Sequence, residues 1–152
     1  PLPPIRMAQV IKGMARLRVL AGAAQPSPAI GQALGPLGVN MVEFCKQFND
    51  RTTKWNKDRK IPVPVNVVAF EDRTFDFSIK TPPTSWFIKQ ASGIAKGSGE
   101  AGKVAAGTID ARAVYEIAKI KQRDDHLEMI PLKSLAGSIV GTAKSMGIQV
   151  TA

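Results

Sequence analysis

The chain of 152 residues is 44% hydrophobic and carries 21 Lys and Arg against 12 Asp and Glu, a net charge of +9. That apolar content suffices for packed cores and excludes global disorder, while the length suits one or two small domains rather than a large enzyme. The charge asks for an anionic partner, nucleic acid before an acidic membrane surface, and it is no detachable tail, since residues 1–79 are net +5 and residues 80–152 net +4.

Residues 1–15 read as a basic extension, an RNA-binding arm or the remainder beside a cleaved transit peptide; Arg6, Lys12, Arg16 and Arg18 come with no acid before residue 19. Leu17–Leu20 has weak strand character. Gly22 to Gly38 is a loop whose prolines at 26, 28 and 36 restrict φ, giving rigidity without regular structure. Asn40 then caps a helix to about Thr52, with Glu43 completing a capping box, Val39 and Phe44 in staple positions, and Met41, Phe44, Cys45 and Phe48 on the buried face. Lys46, Asn49 and Asp50 fall on the opposite face. After a basic loop at 53–60 with Lys54, Lys57, Arg59 and Lys60, the alternation of Val63, Val65, Val67 and Ala69, and of Phe75, Phe77 and Ile79, predicts an antiparallel hairpin turning at Glu71-Asp72-Arg73.

Thr81-Pro82-Pro83 is the best boundary. Thr81 is expected to cap a helix running from Pro82 through Ile94, with Trp86, Phe87, Gln90, Ala91 and Ile94 on its apolar face. Glycines at 97, 99, 102 and 107 make the next stretch a mobile loop. A second helix is expected over Ile109–Lys121, with Val114, Ile117 and Ala118 inward. A third opens at Pro131, runs through Met146 and is closed by Gly147, with Leu132, Leu135, Ala136, Ile139, Val140 and Ala143 as its apolar stripe. The predicted fold class is α+β in two small domains. A basic extension (1–15) precedes an N-terminal α/β domain with a short antiparallel sheet (16–80); a Pro-rich hinge (81–83) leads to a C-terminal three-helix bundle (84–152).

The third helix carries the chemical signal. Off its apolar stripe lie Ser134, Gly137, Ser138, Gly141, Thr142 and Ser145, small residues that admit a close surface and hydroxyls that can donate to phosphate or ribose, as shape-based recognition of folded RNA needs. The loop Gly97-Ser98-Gly99-Glu100-Ala101-Gly102-Lys103-Val104 nearly matches a nucleotide-binding loop, but Val104 stands where a hydroxyl should hold Mg²⁺ and the segment follows a helix, not a strand. It reads instead as a loop that orders on RNA, with Lys96 and Lys103 near phosphate. His126 is the only histidine, in a polar connection, and Cys45 sits on a core face, so no catalytic residue, metal site or cofactor is expected. Asp124 and Asp125 look like turn residues, and Trp86 and Phe87 like core. A helix-turn-helix protein on duplex DNA is the alternative. It is disfavoured because the third helix lacks Arg, Asn and Gln for base edges.

Four stretches together resemble the bacterial and organellar ribosomal protein L-eleven family, the stalk-base protein of the large subunit, over residues 16–52 and 61–147. They are Ala21-Gly22 with Gln25-Pro26-Ser27-Pro28 and Ala33-Leu34-Gly35; Gly38-Val39-Asn40 with Glu43-Phe44-Cys45-Lys46 and Phe48-Asn49; Lys80-Thr81-Pro82-Pro83; and Gly141-Thr142-Ala143-Lys144-Ser145-Met146-Gly147. The resemblance implies a non-catalytic protein whose C-terminal domain grips large-subunit rRNA through Ser138, Gly141, Thr142, Lys144, Ser145 and Met146 on the third helix. Gly93, Lys96, Gly97, Ser98 and Lys103 of the loop join them, with Pro82 and Pro83 nearby. It further implies an N-terminal domain that swings about the hinge and presents a proline-rich helix, with Gln25, Pro26, Ser27, Pro28 and Gly31, to translational GTPases and to the cleft used by thiopeptides. Implied partners are rRNA, stalk proteins and neighbouring ribosomal proteins, with no membrane and no small-molecule substrate. Pro28-Ala29-Ile30-Gly31-Gln32 departs from the bacterial Pro-Pro-Val-Gly-Pro. The stretches Val114–Lys121 and Ile130-Pro131-Leu132 resemble the mitochondrial form, which places the protein in the mitochondrial matrix in preference to the bacterial cytoplasm.

Overall fold

In the computed structural model the described residues are 10–55 and 60–152. Arg6 in the expected extension and Lys57 and Arg59 in the basic loop therefore lie outside them. The chain divides into two compact units, one ending at Lys80 and the other beginning at Thr81.

The first unit is a three-stranded antiparallel sheet with helices on one face. Strand β1 (Ile11–Leu20) and strand β3 (Phe75–Ile79) flank the central β2 (Pro62–Phe70). The period of two is strict in β2: Val63, Val65, Val67 and Ala69 are fully buried, and the residues between them are half-buried. Strand β1 begins at Ile11, so the last residues of the expected extension belong to the sheet. Their inward positions are Gly13 and Ala15, too small to produce a visible hydrophobic alternation.

The Pro/Gly stretch is more regular than its composition predicts, and it contains a helix, as the family resemblance implies. Helix α1 (Pro28–Leu34) starts with Pro28 in its first position, Ser27 at the N-cap accepting from the Ile30 N–H, and is followed by a 3₁₀ turn at Gly35–Leu37. Proline at the first helical position costs nothing, because that N–H is unpaired in any helix. Helix α2 (Met41–Thr52) has the expected cap, Asn40 Oδ1 accepting from Val42 N at 3.1 Å. Glu43 accepts from Gln47 Nε2 at 3.2 Å. Phe44, Cys45 and Phe48 are buried, and Phe44 meets Phe77 edge-on at 5.4 Å between ring centres.

The second unit holds three helices, α3 (Thr84–Ser92), α4 (Ala111–Lys121) and α5 (Leu132–Ser145), and also a two-stranded parallel ribbon that the three-helix reading lacks, β4 (Gly107–Asp110) with β5 (Ile148–Thr151). Ile109 lies in β4, and α4 starts after its N-cap Asp110. Helix α3 begins later and ends earlier than predicted; Gly93, at φ +68°, stops it. The buried residue of α3 is Ile88, while Gln90 and Ala91 of the expected apolar face are exposed. Phe87 packs on the core, with Trp86 half-buried against its ring. Leu135, Ile139 and Ala143 carry the buried stripe of α5 and meet Val114, Ile117 and Ala118 of α4 in one core.

Candidate nucleic-acid interface

Helix α5 has one face committed to the core and one left bare. Ser134, Gly137, Ser138, Gly141 and Ser145 are exposed and Thr142 is half-buried. Among the described residues, a methyl group built on Gly137 or Gly141 meets nothing within 4 Å. Glycine in a helix interior costs about 1 kcal/mol relative to alanine, and none of the described residues requires it at either position. The hydroxyls are directed differently from the expectation. Ser138 donates to Leu135 O at 2.9 Å, Thr142 to Ser138 O at 3.0 Å, and Ser145 to Thr142 O at 2.7 Å. Each proton is thus occupied by the helix backbone, and what these oxygens offer outward is lone pairs. Phosphate oxygens cannot donate to them; a ribose 2′-OH can, and so the arrangement suits the sugar edge of an RNA groove.

The glycine-rich loop is fastened to the C-terminal end of this helix. Ser98 N–H donates to Met146 O at 2.9 Å and Ala106 N–H to Gly147 O at 2.7 Å. Gly147 takes φ +72°, and a Cβ there would lie 2.5 Å from the Ser98 Cβ, so no other residue fits without displacing the loop. Ser98 Oγ accepts from Glu100 N–H at 3.1 Å, which leaves its own proton available. A cleft of about 670 Å³ is lined by Lys103 and Lys144 above Val140 and Val150. Gly97, Ser98, Lys103, Lys144 and Met146 are thereby brought to the same end of α5, Lys96 is exposed on the same loop, and Gly93 is the C-cap of α3. The loop follows a helix, and Glu100 O receives the N–H groups of both Lys103 and Val104 at 3.1 Å, which is a turn and not a phosphate cradle.

Pro82 and Pro83 are placed by a different set of contacts. Thr81 does not cap α3. Its N–H and hydroxyl donate to the Asp124 carboxylate at 2.8 and 2.7 Å. Lys121 Nζ donates to Asp124 Oδ2 at 3.2 Å, to Thr81 Oγ1 at 2.9 Å and to Pro82 O at 3.2 Å. Asp124, expected as a turn residue, is 6% exposed. Burial pushes its carboxyl up, but the two Thr81 hydrogen bonds and the Lys121 charge outweigh that and hold it below the ordinary carboxylate value. Nothing local in the sequence signals this clamp, because Thr81 and Asp124 are 43 positions apart.

In the first unit Gln25, Pro26 and Pro28 are exposed, while Ser27 and Gly31 are half-buried. The loop is held from behind by α2. Asn49 Oδ1 accepts from Ala24 N–H at 2.9 Å, Asn49 Nδ2 donates to Ala24 O at 3.0 Å, and Thr52 Oγ1 accepts from Gly22 N–H at 2.9 Å. Thr52 is fully buried. Asn49 is therefore a clasp on the proline-rich segment and not part of a solvated face.

Comparison with known proteins matches both units. Residues 15–75 match the family model described as Ribosomal protein L11, N-terminal domain, and residues 80–150 the one described as Ribosomal protein L11, RNA binding domain. Large ribosomal subunit protein uL11m of Reclinomonas americana is 44% identical over 139 residues, covering 91% of this chain and 94% of that protein. The bare face of α5, the loop fixed to its end and the cleft beside them all fall within the RNA-binding match. The chain belongs to the ribosomal protein L11 family, whose members are RNA-binding constituents of the large ribosomal subunit and not enzymes.

Proposed function

We propose that the second unit grips the compact rRNA fold of the GTPase-associated centre, and that the first unit presents Gln25, Pro26, Ser27, Pro28 and Gly31 to translational GTPases and the neighbouring stalk proteins. The identity to uL11m supports a place in the mitochondrial ribosome, within the matrix. The observation that carries the RNA contact is the pair of exposed glycines on α5, which leave a side-chain-free strip with no internal use, flanked by outward lone pairs of Ser138, Thr142 and Ser145. Gly93, Lys96, Gly97, Ser98, Lys103, Lys144 and Met146 complete the contact at the end of the helix. Pro82 and Pro83 support it by setting where α3 begins.

The pivot between the units follows from the clamp. Lys80 N–H donates to Pro64 O at 3.0 Å within the first unit, and Thr81 N–H donates to Asp124 within the second. Thr81 and Pro82 thus move with the second unit, and we place the pivot at the dihedrals of Lys80 instead of at 81–83.

Binding of the full chain to the folded rRNA of the GTPase-associated centre tests the RNA reading. Gly137→Ala and Gly141→Ala should each raise stability by about 1 kcal/mol while weakening that binding, opposite signs that a purely structural role cannot produce. Unchanged binding in both variants sinks the assignment. Tighter binding to duplex DNA than to this RNA would revive the helix-turn-helix alternative.

A further inference from the structure

The outer face of the sheet in the first unit, opposite α1 and α2, groups three cations at one end, Arg16, Arg18 and Lys80. The register places Arg18 beside Pro64 and Arg16 beside Asn66, with Asn66 in turn beside Ser78. Lys80 follows in the Pro64 row through its hydrogen bond to Pro64 O. Arg16, Arg18, Pro64, Asn66 and Lys80 line a shallow groove of about 490 Å³. Among the described residues, none of the three cations has an ion pair; the two ion pairs are Lys119–Glu116 and Lys121–Asp124, both in the second unit. The nearest acid on this face, Asp76, stands in the next row opposite Val68, with one oxygen accepting from the Phe77 N–H at 2.8 Å.

We infer that this groove is a second RNA contact, distinct from the α5 face, in which Arg16, Arg18 and Lys80 hold the phosphate backbone of an rRNA segment. Three observations favour RNA over an acidic protein. The two arginines are two residues apart on one strand face, about 7 Å, a spacing of the same order as the repeat of a nucleic-acid backbone. The groove offers cations and the amide of Asn66 but no exposed aromatic anchor of the kind that centres a protein interface. The RNA-binding unit is tethered to this one, which keeps RNA at high effective concentration beside it. The inference rests on the RNA-binding reading of the second unit.

The test uses the full chain in two assays. In the first, affinity for deproteinised large-subunit rRNA is followed against salt. Arg16→Gln/Arg18→Gln removes two phosphate contacts and should lower the slope of log K against log salt by about 1.5. Lys46→Gln/Lys54→Gln, an equal charge change at exposed positions elsewhere in the first unit, should leave the slope within about 0.5 of the parent. In the second, a photo-crosslinker on Asn66→Cys, in a Cys45→Ala background, is activated in the assembled large subunit. Crosslinks to rRNA support the groove. Crosslinks to protein alone, or a slope change matched by the control pair, overturn it. If instead the α5 glycine variants fail to alter binding while the arginine pair does, the α5 strip is not the contact, while RNA binding by the second unit, on which the groove rests, remains.

Discussion

Removing the Asp124 carboxylate should unfasten the start of the second unit. Asp124→Ala deletes the acceptor for Thr81 N–H, Thr81 Oγ1 and Lys121 Nζ. Hydrogen bonds to a charged group contribute about 1.5–3 kcal/mol each, but three that share one carboxylate are not additive. Lys121, whose side chain is 14% exposed, keeps two other acceptors, Thr81 Oγ1 and Pro82 O, so its charge is not orphaned. The expected loss is therefore about 3 kcal/mol, the lower end for removing one partner of a buried pair. The chain has two tryptophans, Trp55 and Trp86. In a Trp55→Phe background, urea unfolding followed by indole fluorescence reports the second unit alone. The loss also has a pH signature. The folded carboxyl is held below its ordinary value, so the unfolded carboxyl, near 3.9, takes up its proton first as acid is added. The contribution is complete above about pH 5 and is lost as pH falls through the folded pKa. Parent and Asp124→Asn should thus converge in stability on acidification. A loss under about 1 kcal/mol, or a parent–variant gap that does not narrow as pH falls below the ordinary carboxylate range, would refute the clamp.

Gly147→Ala imposes a left-handed conformation on a residue with a side chain and drives its Cβ into Ser98. A loss of about 2 kcal/mol or more should appear in thermal unfolding, with weaker rRNA binding beyond the fraction unfolded. Asn40→Ala should cost about 1 kcal/mol in the first unit by denaturant titration and leave rRNA affinity of the second unmoved. If the pivot is Lys80, Asp124→Ala also frees Thr81 and Pro82 to move, and ¹⁵N relaxation should show the two units tumbling more independently than in the parent. Replacing ribose by 2′-deoxyribose at the contacted groove should weaken binding to the parent but not to Ser138→Ala/Thr142→Val/Ser145→Ala, which lacks the three accepting oxygens.

The parts legible in the sequence were those written in short-range pattern. The valine alternation of β2, the Asn40 cap of α2 and the four-residue spacing of Leu135, Ile139 and Ala143 each involve neighbours within one element, and each is where the sequence reading has it. What the sequence hid is long-range or carried by small residues. The first half of strand β1 shows no alternation because its inward residues there are Gly13 and Ala15, and the proline and glycine content of the next stretch masks α1, a helix that the family resemblance implies and composition does not. The parallel pairing of Gly107–Asp110 with Ile148–Thr151 joins segments that carry no mutual signature in a single chain.

The same division runs through the interface. That α5 carries a bare face was readable from the positions of Gly137, Gly141, Ser138 and Ser145, because helix geometry fixes which residues share a side. The direction of its hydroxyls was not, since a serine in a helix can turn its proton outward or back onto the preceding turn. In this chain the protons turn back, and the interface changes from one that donates to phosphate to one that accepts from ribose. Positive charge for phosphate then has to come from outside the strip, and the structure supplies it at the strip's end, where Lys103 and Lys144 line one cleft and Gly147 lets the loop that carries Lys103 lie against the helix. On the proposed reading, shape and sugar recognition on α5, with phosphate recognition at its end, is a division that favours folded RNA over DNA.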